Sequence, residues 1–423
     1  MPRRRSSRAS KRRMRKLKNV FKNSKVSSRG LPNTDPKAIE ELLTRGVDEV
    51  IGSDDLRKRL LSGERLRVKL GIDPTSPNLH LGRSIPLLKL RDFQRLGHQV
   101  VFIIGDFTGT IGDTSDKDSE RPMLSRDVVE ANMKTYKEQA GKILDLSKCE
   151  VRYNSNWLSK PGYAEIGEQA DQFSLNEFMS RELIKKRLDE GKRVSVRELL
   201  YPLMQGYDSV MVQADVELGG TDQRFNLLAG RTLQKHYGQK PQAIIMNPLV
   251  EGTDGRKMSS SWGNTVNLTD TAENIFGKIM SVPDELILKY FMFMTRVVAE
   301  TIAAHTDALK AGANPRDVKL ELAEEIVRMY HGEAEAKKAR EGFISIFCKG
   351  EMPEEMPEFK LKSEMTIVDV LIDSKLCSSK NQARRDIDGG GVKLDGEVVT
   401  DYETTPASGS ILQKGKRHFL HLV

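Results

Sequence analysis

The residues of this chain best suited to chemistry lie within positions 67–84, where a strand pattern gives way to a helical one. Backbone amides at a helix start have no partner inside the helix, so they favour anions, most often phosphate. Arg83 adds a permanent cation, His80 adds a hydrogen-bond donor, and Gly82 lets a flat group lie against the backbone. Thr75 clusters at the same helix start. The stretch predicts a nucleotide phosphate site, with an ordinary strand-to-helix turn around a satisfied histidine as the alternative.

Three elements must position these groups. Alternating apolar residues over 68–72 predict a strand with one apolar face, in which Gly71 allows a ligand near the backbone and after which Asp73 ends the strand. A helical pattern follows to about Leu96, and the apolar run 100–104 predicts a second strand. Strand, helix and strand in this order form the unit of a parallel sheet.

A glycine-dense loop, 105–113, follows the second strand. Open α/β sheets bind ligands at such carboxyl strand ends. The glycine spacing does not match the dinucleotide fingerprint, which disfavours a dehydrogenase. Asp113 is a candidate for binding an ammonium group, with Thr108 in support; the alternative role of Asp113 is to cap a helix or form the turn.

The segment Leu79-His80-Leu81-Gly82-Arg83 resembles the first signature of class I aminoacyl-tRNA synthetases, His-Ile-Gly-His, with Arg83 where the last His is usual. The preceding Leu-Gly-Ile-Asp-Pro-Thr is similar to bacterial tyrosyl-tRNA synthetases. The resemblance implies catalytic residues, here Thr75, His80 and Arg83. It also implies residues that contact ATP, here Gly71, Asp73 and Gly82.

A helix predicted over 194–210 places Tyr201, Gln205 and Asp208 on one face, because they are spaced four and three apart. Asp208 is suited to accept a phenolic hydroxyl, while Tyr201 and Gln205 reach an amino group; the alternative is a solvated face. Tyr-Pro-Leu-Met-Gln-Gly-Tyr-Asp is very similar to the amino-acid-binding helix of tyrosyl-tRNA synthetases. The buried stripe of this helix is predicted to be Leu199, Leu200, Leu203 and Met204.

A second crossover is predicted as a strand over 211–216, a loop over 219–223, a helix over 225–237 and a last strand over 243–246. Within the loop, Asp222 is suited to cap the helix. The resemblance instead implies that Gly220 and Asp222 meet the ATP ribose and that Gln223 meets the tyrosine carboxylate. Two crossovers around one crevice make a nucleotide-binding α/β domain.

The loop 252–264 resembles the second class I signature, Lys-Met-Ser-Lys-Ser. Lys257 would close over the triphosphate and stabilise charge on the departing pyrophosphate. Ser260 stands where the second lysine is expected, and Arg256 or Arg83 would have to compensate. Without the resemblance, a surface turn would be the better interpretation.

Two further regions are predicted to be helical. Residues 114–195 are predicted as a largely helical insertion with helices over 126–143 and 166–188. Its apolar residues would serve as core or as a dimer seam, and the family dimerises through the equivalent insertion. Residues 266–348 form a second helical region, which contacts the anticodon stem in the resembling family.

The carboxyl-terminal part begins with a charged, proline-broken linker over 349–365. Residues 366–423 resemble an S4-type RNA-binding domain, in which Lys380, Arg384 and Arg385 lie on a predicted helix. Lys and Arg balance Asp and Glu in this domain, so RNA affinity would depend on clustering. The alternative is that this domain has a structural role and does not bind RNA.

Charge is concentrated at the amino terminus. Residues 1–34 hold 13 Lys and Arg and no acid. The net charge of the whole chain is only +8, so the residues after this segment are mildly acidic. Low apolar content predicts disorder here; the segment is interpreted as an RNA-attracting arm, an organellar transit peptide or an extension without function. Three isolated cysteines suit a reducing compartment such as the cytoplasm, and no apolar run is long enough to span a membrane.

The predicted fold class is α/β: a Rossmann-like parallel-sheet catalytic domain over 35–265, then the α-helical domain and the small α+β S4-like domain. The resemblance implies that the chain activates tyrosine with ATP and transfers it to tRNA(Tyr). It also implies Mg²⁺ with the ATP substrate, no dedicated protein metal site, and a homodimer. The alternatives are the same chemistry on tryptophan, which Asp208 disfavours, and an RNA-binding paralogue that has lost catalysis.

Overall fold

The structure is a computed structural model that describes residues 30–114, 122–346, 356–362, 364–415 and 418–423. The predicted arm up to residue 29 and part of the predicted linker lie outside the described residues. The chain divides into two compact units between Tyr330 and His331. No helix among the described residues is both long and apolar enough to cross a membrane.

The first unit is built on a six-stranded sheet in the order β1-β6-β5-β2-β3-β4. Its strands are β1 (Glu49–Ile51), β2 (Arg67–Ile72), β3 (Gln99–Ile104), β4 (Cys149–Tyr153), β5 (Val216–Gly220) and β6 (Ala243–Asn247). Strands β2 to β6 pair in parallel, and β1 is antiparallel to β6. Residues 100–104 are all buried, as expected for a parallel strand covered on both faces.

The helices of this unit connect and cover the strands. They are α1 (Pro36–Thr44), α2 (Ser53–Leu61), α3 (Leu81–Arg95), α4 (Thr108–Ile111), α5 (Arg126–Met133), α6 (Tyr136–Gly141), α7 (Ser155–Leu158), α8 (Tyr163–Ala170), α9 (Leu175–Met179), α10 (Glu182–Asp189), α11 (Val196–Val212), α12 (Arg224–His236), α13 (Ala272–Met280), α14 (Ile287–Met294), α15 (Ala299–Lys310) and α16 (Pro315–His331).

The first predicted crossover is confirmed: α3 connects β2 to β3, and these strands pair in parallel with Leu70 opposite Phe102. The predicted apolar face of β2 is confirmed, because Val68, Leu70 and Ile72 are all buried, and Lys69 on the opposite face is buried as well. The Lys69 ammonium lies 2.9 Å from Glu217 Oε1 on β5. Burial at this position therefore follows charge pairing rather than apolarity.

The region 114–195 is not only a helical insertion, because β4 lies within it and pairs with β3. The sequence did not predict this strand, whose residues are all only half-buried. The helix predicted over 126–143 is two helices, α5 and α6, and the helix predicted over 166–188 is three, α8 to α10. The break between α8 and α9 follows from a capping box in which Ser174 and Glu177 start α9.

The boundary between α11 and β5 also differs from the prediction. The helix runs on to Val212, and Gln213 ends it in the left-handed conformation with φ +51°. The strand predicted over 211–216 is therefore wrong, and β5 instead contains Gly219 and Gly220. The following helix and strand of the second crossover, α12 and β6, are confirmed.

The buried face of α11 is not the predicted stripe. Leu203 is fully buried, but the other members are half-buried, namely Leu199, Leu200 and Met204. The helix packs closely on α12 through Gly206, where a Cβ atom would lie 3.0 Å from the backbone of Ala229. On the polar face of α11, Tyr201 and Asp208 are buried and Gln205 is half-buried.

The second unit contains α17 (Glu333–Ile344), α18 (Ile367–Asp373), α19 (Lys380–Asp388) and a five-stranded sheet in the order β7-β11-β10-β8-β9. The strands are β7 (Glu358–Phe359), β8 (Val392–Leu394), β9 (Glu397–Val398), β10 (Ile411–Lys414) and β11 (His418–Leu422). The described end of the predicted linker is thus part of this sheet, since β7 pairs with β11.

Replacing Lys69 by Met is expected to destabilise the protein, because Glu217 would keep a buried charge without its cation. Breaking a buried ion pair costs about 3–5 kcal/mol, which reversible urea unfolding would report as a lower free energy of unfolding. The double variant K69M/E217L removes both charges and is expected to regain most of the loss. A K69M protein as stable as the parent, or a double variant no better than K69M, would contradict the role of this pair.

Candidate active site

A cavity of about 530 Å³ opens at the carboxyl ends of β2 and β5. Most of the residues predicted to act in catalysis or to bind ATP or tyrosine line it: Gly71, Asp73, Thr75, His80, Gly82, Arg83, Asp113, Tyr201, Gln205, Gly220, Asp222, Gln223, Lys257 and Ser260. Thr108 and Asp208 do not line the cavity. They are buried and reach its wall only through hydrogen bonds.

His80 lies at the amino end of α3, as its N-cap residue. Its ring packs over Gly82, where a Cβ atom would lie 3.1 Å from two ring atoms. Burial, and then the charges of Arg83 and Lys257, lower the pKa of His80 to about 3. The imidazole is therefore neutral near pH 7 and can donate one hydrogen bond without carrying charge.

Arg83 is held against the loop that follows β2. Its guanidinium donates to the Asp73 carbonyl oxygen at 3.1 Å and to Thr75 Oγ1 at 3.2 Å. These bonds fix the cation at the cavity wall near the amino end of α3. The position that usually carries a second histidine thus contributes a permanent charge. The prediction of free amides at this helix start is wrong, because Leu81 donates to the Val266 carbonyl oxygen and Gly82 to Met258 Sδ.

The loop after β6 places Lys257 across the cavity from α3. Lys257 Nζ lies 3.1 Å from Asp222 Oδ2, which joins the loop to the second crossover. The Asp222 side chain does not cap α12, whose N-cap is Gln223. Arg256 does not line the cavity: it pairs with Asp254, and its guanidinium lies 5.0 Å from the Trp262 ring. Of the two arginines considered as a substitute for the missing lysine, only Arg83 lines the cavity.

Asp73, which follows β2, is hydrogen-bonded to α4 and α11 beside the cavity. Its carboxylate accepts hydrogen bonds from Tyr201 Oη at 2.8 Å and from Thr108 Oγ1 at 2.7 Å. Burial raises the pKa of Asp73 to about 6, although both hydrogen bonds favour the charged form. Nearby, Asp113 accepts from Gln223 Nε2 at 2.7 Å, which brings two predicted tyrosine-binding residues into contact.

Asp208 is buried at the inner end of the same polar network. It accepts from Trp157 Nε1 at 2.7 Å and from Asn154 Nδ2 at 3.3 Å, and Asn154 also donates to Thr108 at 2.8 Å. Burial raises the pKa of Asp208 to about 7, against the opposing effect of the Lys69 charge. Sequence reasoning missed both donors, because they lie around the unpredicted β4; Trp157, one of two tryptophans, was the available signal.

A second polar cluster supports Gln205 from the sheet. Lys69 Nζ donates to the Gln205 carbonyl oxygen at 3.0 Å and to Ser209 Oγ at 2.8 Å. Glu217 accepts from Gln205 Nε2 at 3.2 Å and from Ser209 Oγ at 2.9 Å. This cluster has no local sequence signature, because its lysine and its glutamate lie on two strands that are far apart in the sequence.

The predicted RNA-binding residues of the second unit lie exposed on α19. Lys380 pairs with Asp369 at 3.3 Å, and the Arg384 guanidinium lies 5.5 Å from the Tyr402 ring. Arg385 is exposed on the same helix. The three cations are therefore accessible from solvent.

Comparison with known proteins agrees with this geometry. Residues 61–348 match the family described as tRNA synthetases class I (W and Y), and residues 349–422 match the tyrosine–tRNA ligase SYY-like C-terminal domain. The tyrosine–tRNA ligase of Thermotoga maritima is 46% identical over 391 residues, which are 92% of this chain and 98% of that protein. The tyrosine–tRNA ligase of Shewanella oneidensis is 48% identical over 383 residues, 89% of this chain and 96% of that protein.

Solved structures with the same fold include two further synthetases. A truncated mitochondrial tyrosyl-tRNA synthetase from Aspergillus nidulans has a TM-score of 0.62 at 21% identity, covering 80% of this chain and 99% of that one. The tyrosyl-tRNA synthetase from Archaeoglobus fulgidus, complexed with L-tyrosine, has a TM-score of 0.58 at 23% identity, covering 72% of this chain and 99% of that one. The sequence matches and the shared fold together establish that the chain belongs to the class I tRNA synthetases, among the bacterial-type tyrosine–tRNA ligases.

Proposed function

We propose that this protein is a tyrosine–tRNA ligase, which activates tyrosine with ATP and transfers it to tRNA(Tyr). The observation that carries the proposal is one cavity with two different ends. The end at α3 presents a neutral His80, the Arg83 cation and Lys257, which suits phosphates. The end at α11 leads to a buried carboxylate, Asp208, which suits a phenol.

In the first step the carboxylate oxygen of tyrosine attacks the α-phosphorus of ATP. A new oxygen–phosphorus bond forms, the bond to the bridging oxygen breaks, and pyrophosphate leaves. In the second step the terminal ribose hydroxyl of tRNA attacks the acyl carbon, and AMP leaves with the electron pair. No side chain has to act as a nucleophile, so catalysis consists of positioning and electrostatic stabilisation.

At the phosphate end, His80 and Thr75 are assigned to the β and γ phosphates and Lys257 to the departing pyrophosphate. Gly82 is assigned to the adenosine, while Gly220 and Asp222 are assigned to the ribose. The ATP contacts are completed by further residues of the cavity wall: Gly71, Asp73, Arg83 and Ser260. We infer that Mg²⁺ enters with the ATP phosphates as part of the substrate.

At the amino-acid end, Asp208 is assigned to the tyrosine hydroxyl, which would donate a hydrogen bond to the carboxylate. Tyr201, Gln205 and Asp113 are assigned to the ammonium group and Gln223 to the carboxylate. Thr108 acts indirectly, because its hydroxyl is bonded to Asp73. Phenylalanine would displace water from the site without supplying this further donor to Asp208, and the loss of a hydrogen bond to a charged group costs binding free energy.

The proposal extends to partners. The exposed cations of α19 are assigned to tRNA contacts, and a reducing compartment such as the cytoplasm suits the isolated cysteines. A homodimer is proposed because apolar side chains are exposed around α8 to α11: Tyr163 is 95% exposed, Leu175 60% and Val196 72%. Among the apolar residues of the insertion that were predicted to form a core or a dimer seam, Ile184 is buried, whereas Met179 and Leu188 are exposed.

ATP–pyrophosphate exchange with each amino acid tests the proposal. Exchange that depends on tyrosine, and not on tryptophan or phenylalanine, is the expected result. Exchange with tryptophan would assign a different substrate, and the absence of exchange with every amino acid would favour a paralogue without catalysis.

The variant D208N is expected to weaken tyrosine-dependent exchange at least ~10-fold, since a charged acceptor is replaced by a neutral amide. The loss should appear in the KM for tyrosine and leave the KM for ATP unchanged. The control is D307N, the same change at an exposed position on α15. Unchanged tyrosine dependence in D208N would remove Asp208 from the substrate site.

The affinity for tyrosine is expected to increase with pH between about 6 and 8. The pKa of Asp208 is raised to about 7, and the phenol hydroxyl favours the charged carboxylate, so tyrosine binding should release a proton. Below this pKa, the dissociation constant should rise by up to roughly tenfold per pH unit. Calorimetric titrations of the parent and D208N would show this slope in the parent only; an equal slope in both would assign the titration to another group, such as Asp73.

Removing the Lys257 ammonium is expected to reduce kcat for exchange by about 10²-fold, as for other single donors to a transition state. Tyrosine binding should stay within about twofold in K257A, because Lys257 lies at the phosphate end. The neighbouring R256A is a matched control that removes a cation outside the cavity. Equal losses in K257A and R256A would contradict the assignment of Lys257.

A further inference from the structure

A second cleft, of about 640 Å³, lies at the amino ends of β2 and β3, the sheet edge opposite the active site. Its charged lining residues come from three separate segments of the chain: Arg65, Arg91, Arg95, Asp145 and Lys148. Asp145 pairs with Lys148. The three arginines therefore give the cleft a clear excess of positive charge, although the chain outside the arm is mildly acidic.

These arginines are not balanced by acids of the protein. Among the described residues, no carboxylate forms an ion pair with Arg65, Arg91 or Arg95. Arg65 Nε donates to the Gly97 carbonyl oxygen at 3.0 Å, and Arg95 lies in the last turn of α3, where a cation is favoured by the helix dipole. Neither the hydrogen bond of Arg65 nor the position of Arg95 at the helix end neutralises the positive charge of these arginines.

Two buried donors in the cleft also lack partners. Arg91 Nε and His98 Nε2 are inaccessible to solvent and make no hydrogen bond within the described residues. His98 is 2% exposed, and its Nδ1 accepts from the Leu66 amide, which leaves the proton on Nε2. Burial, and then the neighbouring charges of Arg95 and Arg296, lower the pKa of Arg91 to about 10, while Asp92 acts in the opposite direction.

We propose that this cleft binds the phosphodiester backbone of an RNA segment. Arg91 and Arg95 are four residues apart on α3, which separates them by about 6 Å along the helix axis, and Arg65 comes from the segment before β2. Several separate cations suit successive phosphates better than a single one. No aromatic ring other than that of His98 lines the described cleft, so base stacking contributes little and the binding should be independent of sequence.

This binding surface is separate from the proposed synthetase chemistry, because it lies at the opposite end of the strands. The probe is a fluorescent oligouridylate, which carries no tRNA structure, titrated with the full chain at several salt concentrations. The variant R95E reverses an exposed charge of the cleft and is expected to weaken RNA binding at least ~5-fold and to flatten its salt dependence. R95K keeps the charge and should bind as the parent does.

The matched control is K235E, which makes the same charge change in the last turn of α12, outside the cleft. Tyrosine-dependent pyrophosphate exchange should be unchanged in R95E, so a failure of this inference is distinct from a failure of the proposed function. Equal effects of R95E and K235E, or no oligouridylate binding by the parent chain, would overturn the proposal. Displacement of the RNA by millimolar inorganic phosphate at constant ionic strength would also overturn it, since the cleft would then take a single phosphate.

Discussion

The pairing of β2 with β5 is the constraint on which the rest of the molecule depends. In this pair Lys69 stands opposite Glu217, and the two side chains form a fully buried ion pair. From β2 the chain crosses to β3 on one side, and from β5 it crosses to β6 on the other. The strand order reverses at this point, and such a switch point opens a crevice at the carboxyl strand ends. The ion pair thus joins the two strands at the point where the crevice opens.

The two ends of the cavity differ in charge, because one presents cations and the other leads to a buried carboxylate. At the phosphate end the cations are bonded to backbone and side chains, and the histidine has a pKa of about 3, so it adds a donor without adding charge. At the other end burial raises the pKa of Asp208 to about 7. This carboxylate bears a desolvation cost that a donor from the substrate would partly offset. A phenol supplies such a donor, and a triphosphate does not.

The sequence was sufficient for the first crossover and for most of the cavity wall, because those features are local. The strand before His80, the glycine at the helix start and the spacing of Tyr201, Gln205 and Asp208 are all carried by adjacent residues. What the sequence left out depends on contacts between distant segments. Strand β4 is half-buried and lacks a strong pattern, so its neighbours Asn154 and Trp157 were missed as donors to Asp208. The burial of Lys69 has no local signature, and only its partner Glu217, 148 positions later, explains it.

The central claim is that ATP and a phenol-bearing amino acid lie side by side across the β2–β5 switch point. A crystal structure with a non-hydrolysable tyrosyl-adenylate analogue tests this most directly. The account predicts that the phenol oxygen lies within hydrogen-bond distance of Asp208, with the phosphate-like group between His80 and Lys257. An analogue bound in the reverse orientation, or bound outside this cavity, would contradict it.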